Sequence, residues 1–295
     1  MGRPVVALPF STPAEAAAVS RQAFTLQAET AMTERPAEVL LEALLNAEPG
    51  RPLVELPPGF IEQTDLVAAY ALQQRHADAL CLREGGRTIG IKLGGTTPAM
   101  LQALGLDTPF IGPLLSTRAA ASPARLRRAD FRVCAIEAEI AVRIGKRIDP
   151  SSGLPDRDTL LAAIDAVMPA IEVADSRLAN FAAMPATAII ADLGYAGAWV
   201  YGADCADWRS LDLRNIAVKL VADGATVREG AGHLVLGDPL RALSLAVADL
   251  ARRGQCLEPG TVVTTGSCTP PWLAAGPAHL CADFGPLGQV TLRLA

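Results

Sequence analysis

Two periodicities divide the chain. Between Arg35 and about Glu84, apolar residues recur at helical spacing, first Val39, Leu40, Ala43 and Leu44, then Leu66, Ala69, Tyr70 and Leu72 as far as His76. Pro52, Pro57, Pro58 and Gly59 split this stretch into two helices, and Thr64 is the expected N-cap of the second. After Gly85 and Gly86 the pattern becomes short apolar runs separated by Gly, Pro and charge. It predicts strands over 88–93, 134–144, 170–173, 186–191, 196–201, 216–222, 261–264 and 289–294. Helices are expected over 97–104, 158–167 and 239–253, the last opened by Asp238 with Pro239 at the first helical position. Strands outnumber helices without alternating with them, so the expected class is α+β with a mixed sheet rather than a doubly wound one. Three segments are expected: an N-terminal extension over 1–31 followed by Met32 as an alternative start, a helical portion over 32–85, and a mixed-β domain over 86–295, where any catalytic groups are expected to lie.

The run 134–144 carries the sharpest chemistry. On a strand, Cys134, Ile136, Ala138, Ile140, Val142 and Ile144 form one apolar face, and Glu137 and Glu139 project together from the other. Their neighbours Ala135 and Ala141 are small and leave room beside them. Two buried carboxylates repel, and the repulsion is relieved by protonation, a basic partner or a metal ion; two solvated glutamates on an exposed face are the plain alternative. A second acidic element, Glu172 to Asp175, ends an apolar run at a polar turn, where strands deliver groups to a pocket rim. Asp175 is the expected third ligand, while Glu172, on the opposite face, is expected to pair with a base such as Arg177. Three carboxylates without histidine suit a hard divalent cation, Mg²⁺ or Mn²⁺. Lys92, alone in charge between Ile89 and Met100, is expected to point into the same pocket, although an edge-strand surface lysine reads the same way. The segment Thr264 to Ser267 can offer hydroxyls and backbone N–H groups to a carboxylate, or form a plain turn.

Composition narrows the classes. With 26 Lys plus Arg against 31 Asp plus Glu, the net charge is −5, and the basic run Arg125 to Arg128 with Arg132 reads as a solvated surface, so nucleic acid is not an expected partner. No run reaches the roughly 18 to 20 apolar residues of a membrane span, and the proline-broken N-terminus does not read as a signal peptide; a cytoplasmic protein is expected. Hydrophobic residues make up 51%, enough for a substantial core. The six cysteines are scattered and expected to be reduced and mostly buried, and the three histidines have no zinc-site spacing. His76 is expected as a packed or rim residue. No G-x-S-x-G elbow or nucleotide-binding phosphate loop is present.

Taken in order, Gly90-Ile91-Lys92-Leu93-Gly94 with Thr97-Pro98-Ala99-Met100, Ile136 to Ala141, Pro169 to Arg177, Val235 to Pro239, Thr265-Gly266-Ser267 and Ala282 to Gly288 resemble the fumarylacetoacetate hydrolase superfamily. The resemblance is to its 2-keto-4-pentenoate hydratase and 4-oxalocrotonate decarboxylase branch, and covers about residues 35 to 295. It implies a rolled mixed β-sheet with an N-terminal helical portion, a homo-oligomer, and Mg²⁺ or Mn²⁺ on Glu137, Glu139 and Asp175. It further implies Lys92 and Ser267 as catalytic groups, with Thr97, Leu193, Tyr195, Thr265 and Gly266 around the substrate. The implied reaction is hydration of a 2-hydroxydienoate or 2-oxo-enoate to a 4-hydroxy-2-oxo acid. Decarboxylation of a 2-oxo-enedioate is the rival, and a silent binding subunit or a partner enzyme of the same pathway the further alternatives. The chain departs from the branch at Leu193, Tyr195 and Ala196, where an amide and hydroxyls are usual, and at Thr108 to Gly112, where an acidic residue is usual.

Overall fold

The computed structural model describes residues 36–47, 49, 53–149 and 155–295. The extension over 1–31, Met32 and the Pro52 break lie outside the described residues. Helices α1 (residues 36–45), α2 (Phe60–Gln63) and α3 (Leu66–Glu84) come first. The N-cap of α3 is Asp65 rather than Thr64: its carboxylate accepts from the Ala68 N–H and places negative charge at the positive helix end. The helix stops at Gly85, whose φ of 69° belongs to the left-handed region.

Next in the chain come β1 (Thr88–Gly94), α4 (Pro98–Leu104), β2 (Phe110–Leu115), β3 (Ala119–Ala121), β4 (Ala124–Leu126) and β5 (Ala135–Ile144). They are followed by α5 (Arg157–Ala163), β6 (Ile164–Ala174), α6 (Ala186–Ala191), β7 (Ala196–Tyr201), β8 (Ala217–Ala222) and β9 (Ala225–Ala231). The C-terminal part supplies α7 (Pro239–Arg252), β10 (Val262–Ser267), β11 (Trp272–Leu273), β12 (Ala278–Asp283) and β13 (Gln289–Leu294). One sheet runs β2-β1-β10-β5-β6-β7-β3 with β11 added to β5, and a second runs β4-β13-β12-β8-β9. The pairs β1–β10, β3–β7 and β4–β13 are parallel and the remaining ladders antiparallel, so the fold is α+β with mixed sheets.

The apolar face of β5 is fully buried, from Cys134 to Ile144. It packs with β6, β8, β12 and β13 and with the Leu240, Leu243 and Val247 stripe of α7 in one core. Each such aliphatic side chain contributes about 1.5 to 3 kcal/mol on burial. Of the six cysteines, all free, Cys134 and Cys268 are buried and the other four are half-buried.

Two elements depart from the expected pattern. Residues 186–191 form a helix, not a strand: the run is short and apolar enough to suit either period, and every side chain but Thr187 is buried, with α6 packed on α3. The expected helix over 158–167 ends at Ala163, and Ile164 to Val167 instead begin β6, which is far longer than its apolar tail suggested. Strand β2 escapes notice in the sequence because it contains Pro113, tolerated here on a sheet edge. Helix α3 covers it: Gln73 Nε2 donates to the carbonyls of Ile111 and Ile190, each at 2.8 Å, and Tyr70 Oη accepts from the Ile111 N–H.

His76 of α3 is wholly buried, its Nδ1 3.3 Å from the Ala191 carbonyl. Burial, reinforced by the nearby Arg177 charge, pushes its pKa down to about 3. The folded protein therefore keeps the ring neutral while the unfolded chain takes up a proton below its ordinary value of 6.5. Stability is intact above that value and is lost as the pH falls from 6.5 toward 3, by about 2 kcal/mol at pH 5. Urea unfolding of His76→Gln, which retains a donor for Ala191 but cannot titrate, is expected to show a shallower loss between pH 6.5 and 4. An unchanged slope would place the acid sensitivity elsewhere.

Candidate active site

Strands β1, β10, β5 and β6 lie side by side, and the register decides which residues share a face. Glu137 stands opposite Glu172, and Lys92 opposite Thr264. Because directly opposed residues project to the same side, Glu137, Glu139 and Glu172 converge, each with a carboxylate oxygen within 4.8 Å of the others. Lys92 Nζ lies 3.0 Å from Glu172 Oε1 and 5.6 Å from the centroid of the Phe110 ring. Lys92, Glu139 and Glu172 are buried and Glu137 is half-buried.

The third carboxylate is thus Glu172 and not Asp175. Residues 172 and 175 are an odd number apart, so only one of them can share the face of Glu137, and the β5–β6 register selects Glu172. Its basic partner is Lys92, not Arg177, which binds Asp192. Asp175 sits past the end of β6, where Oδ1 accepts from the N–H groups of Arg132, Val133 and Cys134 at 2.7, 2.6 and 3.3 Å. It holds the chain reversal that starts β5.

A bulge in β10 serves Glu139. Thr264 pairs with Ala141 and Ser267 with Glu139, so an extra residue is accommodated between them. The Thr264 hydroxyl and the Gly266 N–H both donate to Glu139 Oε2, the latter at 3.2 Å. Gly266 has a φ of 113°, and a Cβ there would lie 2.2 Å from Thr96 Oγ1. Thr96 therefore closes against the bulge, whereas Thr97 caps α4 by accepting from the Met100 N–H. Thr265 is turned away, its hydroxyl donating to the Ile140 carbonyl, and Ser267 donates to the Thr269 carbonyl at 2.7 Å.

Leu193 reaches the site through its backbone: a Cβ on Gly112 would lie 2.3 Å from the Leu193 carbonyl oxygen and 3.2 Å from Lys92 Cγ. Tyr195 does not converge with the acidic group. Its hydroxyl donates to the Phe181 carbonyl at 2.9 Å, and its ring meets Phe181 edge to face.

The electrostatics are those of a cluster built to receive a cation. Burial, with repulsion from Glu172 and Glu137, pushes the Glu139 carboxyl well above the ordinary carboxylate range. Burial also raises Glu137, against the pull of Lys92, and pushes Glu172 up to about 7 despite that lysine. Burial alone would lower the Lys92 pKa, but the three carboxylates outweigh it and hold the ammonium charged. Glu139 Oε1 and Glu172 Oε2 are buried without a hydrogen-bond partner. Three carboxylates, two of them with unpartnered oxygens, fit a hard divalent cation. Cation uptake would displace protons and weaken in acid.

Residues 99–293 match the fumarylacetoacetate hydrolase C-terminal family. The chain is 31% identical over 268 residues to the TodF product hydratase of Pseudomonas putida F1, covering 91% of this chain and 97% of that protein. It is 30% identical over 210 residues to a 4-oxalocrotonate decarboxylase of Pseudomonas putida, covering 71% and 78% respectively. The solved structure of 4-oxalocrotonate decarboxylase from Pseudomonas putida G7, complexed with magnesium and adipate, superposes with a TM-score of 0.80 at 27% identity, over 90% of this chain and 98% of that one. Sequence, fold and the acidic cluster agree: the chain belongs to the fumarylacetoacetate hydrolase C-terminal family.

Proposed function

We propose that the protein is a divalent-metal-dependent lyase that hydrates a 2-hydroxydienoate or 2-oxo-enoate to a 4-hydroxy-2-oxo acid. The observation that carries this reading is the convergence of Glu137, Glu139 and Glu172 beside Lys92. The hydratase and decarboxylase names of its relatives point the same way. Mg²⁺ or Mn²⁺ held by the three glutamates would supply electrostatic stabilisation of an enolate. Lys92 Nζ, charged and buried at the edge of the cluster, binds the substrate carboxylate or delivers a proton at that atom. The Thr264 hydroxyl and Gly266 N–H keep Glu139 oriented, and the Phe110 ring shields Lys92 from water.

The test is to incubate the protein and Mg²⁺ or Mn²⁺ with 2-hydroxypenta-2,4-dienoate and, separately, a 2-oxo-enedioate, following dienol absorbance together with product mass. Metal-dependent gain of one water is expected. Loss of CO₂ from the enedioate alone would make the protein a decarboxylase, and no turnover by metal-loaded protein would sink the lyase reading.

We further place the protein in the cytoplasm as a homo-oligomer. Among the described residues, no helix is long and apolar enough to cross a membrane. Helix α3 exposes Leu66, Val67 and Leu82, the last two at 76% and 87%, apolar surface that a second copy would cover.

A further inference from the structure

Behind the acidic cluster the sheet holds a second polar pair. Glu172 of β6 stands directly opposite Trp199 of β7, so the two side chains rise from the same face as neighbours. Together with Leu114, Leu193, Ala196 and Arg118 they line a small, partly open cavity of about 10 Å³. Both are at least 97% buried. Trp199 Nε1 and both carboxylate oxygens of Glu172 have no hydrogen-bond partner, and of the two oxygens Oε1 lies 3.0 Å from Lys92 Nζ, which leaves Oε2 without a cation beside it.

The chemistry of the two atoms is complementary, because an indole nitrogen only donates and a carboxylate oxygen only accepts. Leaving either one buried and unmet costs about 1 to 3 kcal/mol, more for the charged group. They are not in direct hydrogen bond. The cavity is too small for an organic ligand and matches the roughly 10 to 15 Å³ that one water requires. Arg118 closes one side without competing, since its Nε and Nη2 are directed to Glu84 at 3.4 and 2.7 Å.

We propose that a single buried water bridges Trp199 Nε1 and the Glu172 carboxylate, making Trp199 a positioning residue for that glutamate. The water accepts from the indole N–H and donates to Oε2, so the carboxylate plane is fixed from behind while Oε1 stays against Lys92. Glu172 then meets a cation with one oxygen only. This deepens the metal reading given above and rests on it for the affinity effect, though not for the water itself.

The test replaces Trp199 by 3-benzothienylalanine, which keeps the shape of the indole and lacks its donor. Crystal structures of metal-free wild type and variant would be compared, and Mn²⁺ affinity measured from the electron paramagnetic resonance of free Mn²⁺. Wild type is expected to show a water about 2.7 to 3.2 Å from both atoms. The variant is expected to lose that contact and bind Mn²⁺ about 10-fold more weakly, the scale seen when supporting partners of a ligand are removed. No water in the wild-type cavity, or a direct Trp199–Glu172 hydrogen bond, would overturn the bridge. Equal Mn²⁺ affinity in the variant would overturn the positioning role. If wild type itself takes up no Mn²⁺, it is the metal reading that fails, and the density alone decides the bridge.

Discussion

Glu139→Gln is expected to cut Mn²⁺ affinity by more than about 100-fold, beyond the 10- to 100-fold losses typical of residues that only support a ligand. The metal-free protein should meanwhile be as stable as wild type or more so. Glutamine keeps an oxygen to accept from Thr264 and Gly266, and it removes a buried carboxyl whose ionisation is disfavoured by burial and by repulsion from Glu172 and Glu137. A residue that merely held the fold would behave in the opposite way. Titration calorimetry with Mn²⁺ and urea unfolding of the apo protein read the two effects separately, with Asp175→Asn as the contrast, expected to retain Mn²⁺ binding. If Glu139→Gln binds Mn²⁺ as wild type does, or if Asp175→Asn loses it, the assignment of ligands is wrong.

The second large effect lies behind α6. Asp192 is fully buried and accepts from the Arg177 N–H at 2.8 Å, from Arg177 Nη1 at 2.7 Å and from Ser176 Oγ at 3.2 Å. Burial raises its pKa against the pull of Arg177, so the pair is retained only because each charge answers the other. Asp192→Asn keeps the shape and leaves the Arg177 guanidinium uncompensated, which is expected to cost about 3 to 5 kcal/mol in urea unfolding. Adding Arg177→Met should recover most of that loss, because a buried pair replaced at both ends by neutral groups is often nearly neutral. A loss below about 1 kcal/mol in the single variant, or no recovery in the double, would show that the pair is not what holds this turn.

The acidic pair of β5 was legible because period-2 alternation is a property of a single strand: Glu137 and Glu139 share a face whatever the neighbouring strand does. Lys92 was legible as a lone charge in an apolar strand. Glu172 was not, because its face depends on how β6 aligns with β5, and register arises from packing between segments remote in sequence. Choosing Asp175 excluded Glu172 by parity, so one error produced both misplacements, the ligand and the supposed partner of Arg177. The bulge that turns Thr264 and Gly266 toward Glu139 is likewise a two-strand property; the sequence offered only a glycine between hydroxyl residues. Helix α6 was misread because six residues of Ala, Thr and Ile suit a strand as well as a helix, and the choice is made by α3 packing over it.

The parallel pairing of β1 with β10 joins residues 90–92 to residues 262–264. At roughly 5 to 20 residues per second, the ribosome needs on the order of 10 to 30 s to pass from one to the other. From about the middle of that interval the nascent chain carries Lys92, Glu137, Glu139 and Glu172, but not the strand that lies between β1 and β5. A nascent chain that ends before β10 lacks the Thr264 hydroxyl and the Gly266 N–H that orient Glu139, so the cation site matures only once β10 has been made.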